Sequence, residues 1–243
     1  VVTPFIASGS FGARIRGSAS SAPRSLHANN CSDIFAFRNV AALPALYAPA
    51  LFFTRTFHSG MTDTHYIEDL RRRYNAGAKL KFVYFWGHQP GKHGVTASCF
   101  SQWYGAPFDI DGQRYPTAEH YMMAEKARLF GDEATRTLVF QAPNPGAAKA
   151  LGRQVLGFKE DAWLAHRYRI VVRANEAKFG QNAELRDFLT QTGKRVLVEA
   201  SPVDRIWGVG MAQDDEHIAN PNLWRGLNLL GFALMQVRES LQA

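Results

Sequence analysis

The chain has 243 residues, of which 46% are apolar and 12% aromatic, and it carries a formal charge of +7. That is enough apolar sequence to bury a substantial core, in one large domain or two small ones. The charge is unevenly placed: residues 1–60 hold five arginines and one acid, whereas residues 61–243 hold 23 basic and 20 acidic residues, so the body lacks the excess of a polyanion-binding surface although a phosphate pocket is compatible with it.

Residues 1–60 are rich in Ala, Ser, Arg and Phe and nearly free of acids, a composition like that of an organellar transit peptide. The chain opens on Val1 and its first methionine is Met61, which favours the alternative that this stretch lies upstream of the true start. On either reading it is expected to be poorly ordered, with residues 61–243 forming the folded domain. Its most apolar run, residues 40–53, contains Pro44 and Pro49 and is too short to span a bilayer. The expected location is the cytoplasm, or an organelle if residues 1–60 are a transit peptide. Cys31 falls in this segment and Cys99 in the body, which therefore has no internal disulfide and suits a reducing compartment. Cys99 reads as a small buried apolar residue, with a nucleophilic role as the alternative.

From Met61 onward the pattern is regular. Residues 66–74 predict a short helix, and residues 81–86, KFVYFW, a buried strand closed by Gly87. A loop over residues 87–94 leads to a strand candidate at residues 99–104. Residues 108–115 predict a strand–turn–strand with Asp111-Gly112 as the turn. Thr117 is placed to cap a helix running to about Phe130 and stopped by Gly131. Asp132 or Glu133 opens the next helix, which ends near Pro143, and residues 146–151 form a short helical segment. A long amphipathic helix is expected over residues 161–179, with Trp163, Ile170, Ala174 and Ala177 on one face. Then follow a helix at residues 183–191, a strand at 195–200, a glycine-bearing loop at 201–215 and a closing helix at 222–240. Few strands, many helices and no βαβ alternation indicate an α+β class: a single mainly helical domain with a small mixed or antiparallel sheet.

Two groups of residues could carry chemistry. Glu119 and Lys126 are two helical turns apart and share a face, about 10 Å apart along the axis. Met122 and Met123 lie between them, and the aromatics of residues 100–115 precede them. Each also has a plain reading: an acid in the first turn complements the helix dipole, and the lysine is solvated. The second group is EASPVDRIWGVG at residues 199–210, where a strand end leads into a loop. There Asp204 could act as a base or charge stabiliser, Trp207 could stack on a base, and Gly208 and Gly210 could bring backbone N–H groups to a phosphate. The plain reading is an Asp204–Arg205 surface pair and a core tryptophan. Trp103 and Trp163 are likewise ring-stacking or core candidates. His88 and His93 sit in a Gly-Pro loop, and no HExxH or CxxC pair occurs, so no metal or other cofactor is expected. The absence of GxSxG and of phosphate-binding glycine motifs argues against serine hydrolases, P-loop enzymes and Rossmann dehydrogenases.

With these residues in view, the chain resembles the YbiA-like, NADAR-domain family over most of residues 80–241. The likeness is carried by FSQWYGAPFDIDGQRYPTAEHYMMAEKARLFGD, APNPGAAKALGRQV, AKFGQNAELRDFLTQTGKRVLVEASPVDRIWGVG and NLWRGLNLLGFALMQVRESL, in that order. The resemblance implies a YbiA-like fold and an N-glycosidase of ribosylamino-pyrimidine phosphates, the reactive intermediates of riboflavin biosynthesis. Relatives acting in ADP-ribose metabolism imply an alternative substrate, ADP-ribosylated guanine; a non-catalytic ADP-ribose or NAD-binding module is a third reading. Nucleic acid is a partner only on the ADP-ribosyl-base reading; otherwise the partner is a small nucleotide-like molecule. The family's acid maps onto Glu119, its loop acid and tryptophan onto Asp204 and Trp207, a further tryptophan onto Trp163 and its lysine onto Lys126. Glu119 would stabilise charge at C1′ or activate water, and Asp204 would support it. Trp163 or Trp207 would stack on the base, and Lys126 or Arg128 would hold phosphate or ribose oxygens. Trp103 and Asn228 complete the expected substrate contacts. A sharper variant has Lys126 attack an opened C1′ aldehyde as a Schiff base.

Overall fold

The computed structural model describes residues 63–243. Expectations for residues 1–60 lie outside the described residues. In order, the elements are α1 (His65–Asn75), β1 (Phe82–Phe85), β2 (Phe108–Ile110), β3 (Gln113–Tyr115), α2 (Ala118–Leu129), α3 (Glu133–Phe140), α4 (Pro145–Gly152), α5 (Glu160–Gln181), α6 (Ala183–Thr190), β4 (Val196–Glu199) and α7 (Leu229–Ser240). Single 3-10 turns occupy Ala97–Phe100 and Pro221–Leu223. The α+β class stands, with its strands in two separate pairs. β1 runs parallel to β4, Phe82 opposite Val196 and Phe85 opposite Glu199. β2 and β3 form an antiparallel hairpin whose turn residues Asp111 and Gly112 both have positive φ, at 52° and 77°, as a tight two-residue turn requires.

Three successive helices begin at capping side chains. Thr117 accepts the His120 N–H and caps α2, Asp132 accepts the Thr135 N–H and caps α3, and Asn144 accepts the Ala147 N–H and caps α4 just before Pro145. α2 is packed against α3, α4 and α5. It is buried nearly all round, from Ala118 to Glu125 and again at Ala127. β4 is equally deep, with Leu197 and Val198 inaccessible to solvent, and α7 lies on it. Gly231 permits that contact: a Cβ there would sit 2.1 Å from the Leu197 carbonyl oxygen.

Two expected elements take another form. Residues 99–104 are not a strand. Cys99 and Phe100 are both fully buried, and the segment turns as a 3-10 helix followed by further turns. Its carbonyls bond elsewhere: the buried Lys178 ammonium of α5 donates to Cys99 O at 2.6 Å and to Ser101 O at 2.8 Å. The closing helix does not begin at Asn222 but at Leu229. The N–H groups of Arg225, Leu227 and Asn228 are bonded to Val209, Arg205 and Gly208 carbonyls, so residues 225–228 pair with the 201–210 loop instead of coiling. Asn228 then enters the helix from a left-handed conformation, φ 56°. Among the described residues no helix is long and apolar enough to cross a membrane.

Candidate active site

α2 brings two carboxyl groups and an imidazole into the interior, and two of the three have partners there. His120 is held between the Thr117 hydroxyl at 2.8 Å and the Ala142 carbonyl at 3.1 Å. Glu125 receives a two-pronged contact from Arg128, at 2.9–3.0 Å. Glu119 is different. It is 2% exposed, and its Oε1 is buried without a hydrogen-bond partner. A buried acceptor left open is unfavourable unless something outside the fold uses it.

Glu119 borders a cavity of about 200 Å³. α2 supplies one wall, with Met122, Met123 and Lys126 following Glu119. The turn after the 3-10 helix supplies Gln102 and Trp103, and it is tied to α2 by the Glu119 N–H, which donates to Gln102 O at 3.0 Å. The end of α4 contributes Lys149 and, one residue past the helix, Arg153; α5 contributes Trp163. The last residue of β4, Glu199, and the loop residues Asp204 and Trp207 complete the lining. The loop is held by Asp204, whose Oδ1 accepts the Ile206 and Trp207 N–H groups at 2.8 Å each.

The charges in this space act strongly on one another. Burial pushes Glu119 up to about 7, and Asp204 adds to the effect, while Lys149, a hydrogen bond from the Trp103 side chain and Arg153 pull the other way. Burial pushes Glu199 up to about 8, reinforced by Asp204 and Glu119 and opposed by Lys149. Its Oε2 is also buried without a partner. Burial lowers Lys126 below the ordinary lysine value. Its ammonium donates to Gly152 O at 2.8 Å and lies 4.4 Å from the Phe158 ring centre and 5.6 Å from that of Trp163. Two carboxyl groups near neutrality, cations beside them and indole rings around them can exchange a proton and stabilise a developing cation. They can also hold a phosphorylated ring compound.

Sequence candidates Glu119, Lys126, Trp103, Trp163, Asp204 and Trp207 all meet in this cavity, from positions up to 104 residues apart in the chain. Arg128 and Asn228 do not line it. Arg128 points to a second cavity, beside Tyr121, Arg136 and Arg173, and is paired with Glu125. Asn228 is buried: its Oδ1 accepts the Glu199 N–H at 3.0 Å, and its Nδ2 donates to Leu197 O at 2.9 Å. It therefore holds the end of β4. The loop glycines serve packing. Gly210 N–H donates to Asp204 O, and a Cβ on Gly208 would come within 2.9 Å of Glu199 O. No ion pair joins Asp204 to Arg205 among the described residues. Cys99 is inaccessible and burial pushes its thiol up to about 12, which removes the thiolate a nucleophile needs.

Sequence reasoning missed Lys149, Arg153 and Glu199. The first two are four apart, a spacing that puts them on one helix face and was readable in PGAAKALGRQ. Glu199 had a signal too, as the last residue of a strand that enters a glycine loop. Among the described residues no group of three or more His, Cys, Asp and Glu side chains is placed to hold a metal ion.

The NADAR domain family matches residues 84–242. An N-glycosidase of Acanthamoeba polyphaga mimivirus is 40% identical over 167 residues, covering 67% of this chain and 97% of that protein. N-glycosidase YbiA of Escherichia coli (strain K12) is 34% identical over 142 residues, covering 58% of this chain and 80% of that protein. An N-glycosidase of Nostoc punctiforme is 35% identical over 144 residues, 59% of this chain and 85% of that protein. The NMR structure of Escherichia coli YbiA matches with a TM-score of 0.54 at 30% identity, covering 68% of this chain and 87% of that one.

Proposed function

The chain belongs to the NADAR-domain family, and on that premise we propose that it is an N-glycosidase that hydrolyses the C1′–N bond of ribosylamino-pyrimidine phosphates. The observation that carries this reading is the buried Glu119 carboxyl, whose Oε1 has no partner, in a cavity lined by indoles and cations. Breaking a C1′–N bond builds positive charge on C1′ and the ring oxygen. A carboxylate fixed in a water-poor site stabilises that charge without having to reorganise. Glu119 takes this role, with Asp204 behind it and the Trp103 side chain fixing its orientation. Trp163 and Trp207 offer flat faces to the pyrimidine. Lys149 and Arg153 hold the 5′-phosphate, a role the sequence had suggested for Lys126 or Arg128. The cavity of about 200 Å³, open to solvent, accommodates one sugar with part of its base.

The test is release of ribose 5-phosphate from a ribosylamino-pyrimidine phosphate, run beside ADP-ribosyl-guanosine. Turnover of the first is expected, with Glu119→Gln slowing it by about 10²–10³-fold, the scale of losing one electrostatic stabiliser. An unchanged rate in Glu119→Gln removes the acid from the mechanism, and exclusive turnover of ADP-ribosyl-guanosine replaces the substrate. Borohydride added during turnover reports on the Lys126 route, since an imine at that amine would leave a reduced sugar adduct.

A further inference from the structure

Cleavage of a C1′–N bond to an amine requires a proton donor, because the departing nitrogen is otherwise a strongly basic anion. The residues lining the cavity include no histidine, tyrosine or cysteine, so the donor is a carboxyl group or a lysine. Lys126 has its ammonium on Gly152 O and beneath two rings. Asp204 spends Oδ1 on two backbone N–H groups, which ties its side chain to the loop. Burial, with Asp204, pushes Glu119 up to about 7, but Lys149, a Trp103 donor and Arg153 all draw it back toward its anion. Glu199 has Lys149 alone in its favour, and Asp204 and Glu119 against it. Of the two carboxyl groups that burial raises, Glu199 has fewer cations and donors drawing it back toward its anion.

Its placement fits the task. Glu199 is fixed through its backbone on both sides: its N–H donates to Asn228 Oδ1 at 3.0 Å and its carbonyl accepts Val209 N–H at 3.0 Å. The strand end thus brings a carboxyl group, whose Oε2 has no partner, to the same cavity that Glu119 lines. Resting on the N-glycosidase reading above, we propose that Glu199 is the general acid, delivering a proton to the leaving nitrogen while Glu119 stays ionised against the sugar.

The step balances. The C1′–N electron pair moves to nitrogen as the Glu199 proton arrives there, giving the free amine. Water adds its oxygen to C1′, and the proton it releases returns to the Glu199 carboxylate. The products are the aminopyrimidine and ribose 5-phosphate, with the acid restored. Burial, Asp204 and Glu119, which push Glu199 up to about 8, keep it protonated at neutral pH. Environments that separate two carboxyl groups in this way are how one site holds both an acid and a base.

The experiment compares two leaving groups in wild type, Glu199→Gln and Glu119→Gln. One substrate is a ribosylamino-pyrimidine phosphate, whose amine needs a proton. The other is nicotinamide mononucleotide, whose pyridinium departs as a neutral ring and needs none. Glu199→Gln is expected to lose about 10²–10⁴-fold on the first and to stay within about threefold of wild type on the second, which also shows that the variant is folded; Glu119→Gln loses on both. With the first substrate, wild-type kcat/KM should fall as pH rises past about 8, and this limb should vanish in Glu199→Gln. Equal loss on both substrates in Glu199→Gln, or an alkaline limb that survives the substitution, overturns the assignment. If wild type does not cleave nicotinamide mononucleotide, the pH limb decides. If wild type cleaves neither substrate, it is the N-glycosidase reading that fails.

Discussion

Glu199 couples chemistry to stability, because a carboxyl held up to about 8 in the folded state has an ordinary affinity near 4.5 when unfolded. Between those values the folded state binds more protons, so stability is complete below about 4.5 and is lost as pH rises through about 8. Glu199→Gln removes that loss. The variant is expected to match or exceed wild-type stability at pH 9, by up to roughly 5 kcal/mol at about 1.4 kcal/mol per tenfold change in proton affinity, with less difference at pH 5. Urea melts at the two pH values measure it, and a difference independent of pH refutes it. Legibility at this scale divides the two glutamates. Glu119 stood out because it opens a helix pattern beside aromatics and precedes a lysine on the same face. Glu199 read only as the end of RVLVE, since the groups that raise its proton affinity, Asp204 and Glu119, act through space, and Glu119 is 80 residues away in the chain.

Elements were most legible where local chemistry fixes them. The Asp111-Gly112 turn and the caps at Thr117 and Asp132 are settled by a few neighbouring residues, and each falls where the sequence indicated. The segment at residues 97–104 depends on α5, and no local pattern announces Lys178. That lysine is fully buried, burial lowers it to about 7, and both of its hydrogen bonds go to backbone carbonyls of this segment. Next to it Asn175 Nδ2 donates to Gln102 Oε1 at 2.9 Å, so α5 holds the turn that carries Gln102 and Trp103 at two points. Lys178→Met would orphan the Cys99 and Ser101 carbonyls. The expected cost is about 2–4 kcal/mol, from two buried acceptors at about 1–3 kcal/mol each with partial relaxation. Because Trp103 bears on Glu119, kcat should fall further than the loss of folded protein explains. Urea melts with kcat per folded molecule check both parts, and a destabilised variant with unchanged kcat would separate the turn from catalysis.

At the scale of the whole molecule, the cavity is assembled from segments that meet only once the chain is folded: the turn at residues 101–103, α2, the end of α4, Trp163 of α5, and the β4 end with its loop. The parallel pairing of β1 with β4 spans more than 110 residues, and everything that lines the cavity before Glu199 lies between those two strands in sequence. A ligand touching all the walls therefore binds the folded chain and not the unfolded one, and must raise its melting temperature by mass action. At a hundred times its Kd the gain is about 2.7 kcal/mol. If Lys149 and Arg153 receive the phosphate, ribose 5-phosphate should raise Tm by several degrees where ribose at the same concentration raises it far less. Lys149→Ala with Arg153→Ala should erase most of that difference and leave the response to ribose in place. The pair is a suitable target because Lys149 and Arg153 lie near the end of α4 and make no salt bridge among the described residues, and the response to ribose controls for any effect of their loss on the fold. A phosphate-dependent shift that survives the double substitution would move the phosphate away from α4, toward Lys126 as the remaining cation of the cavity.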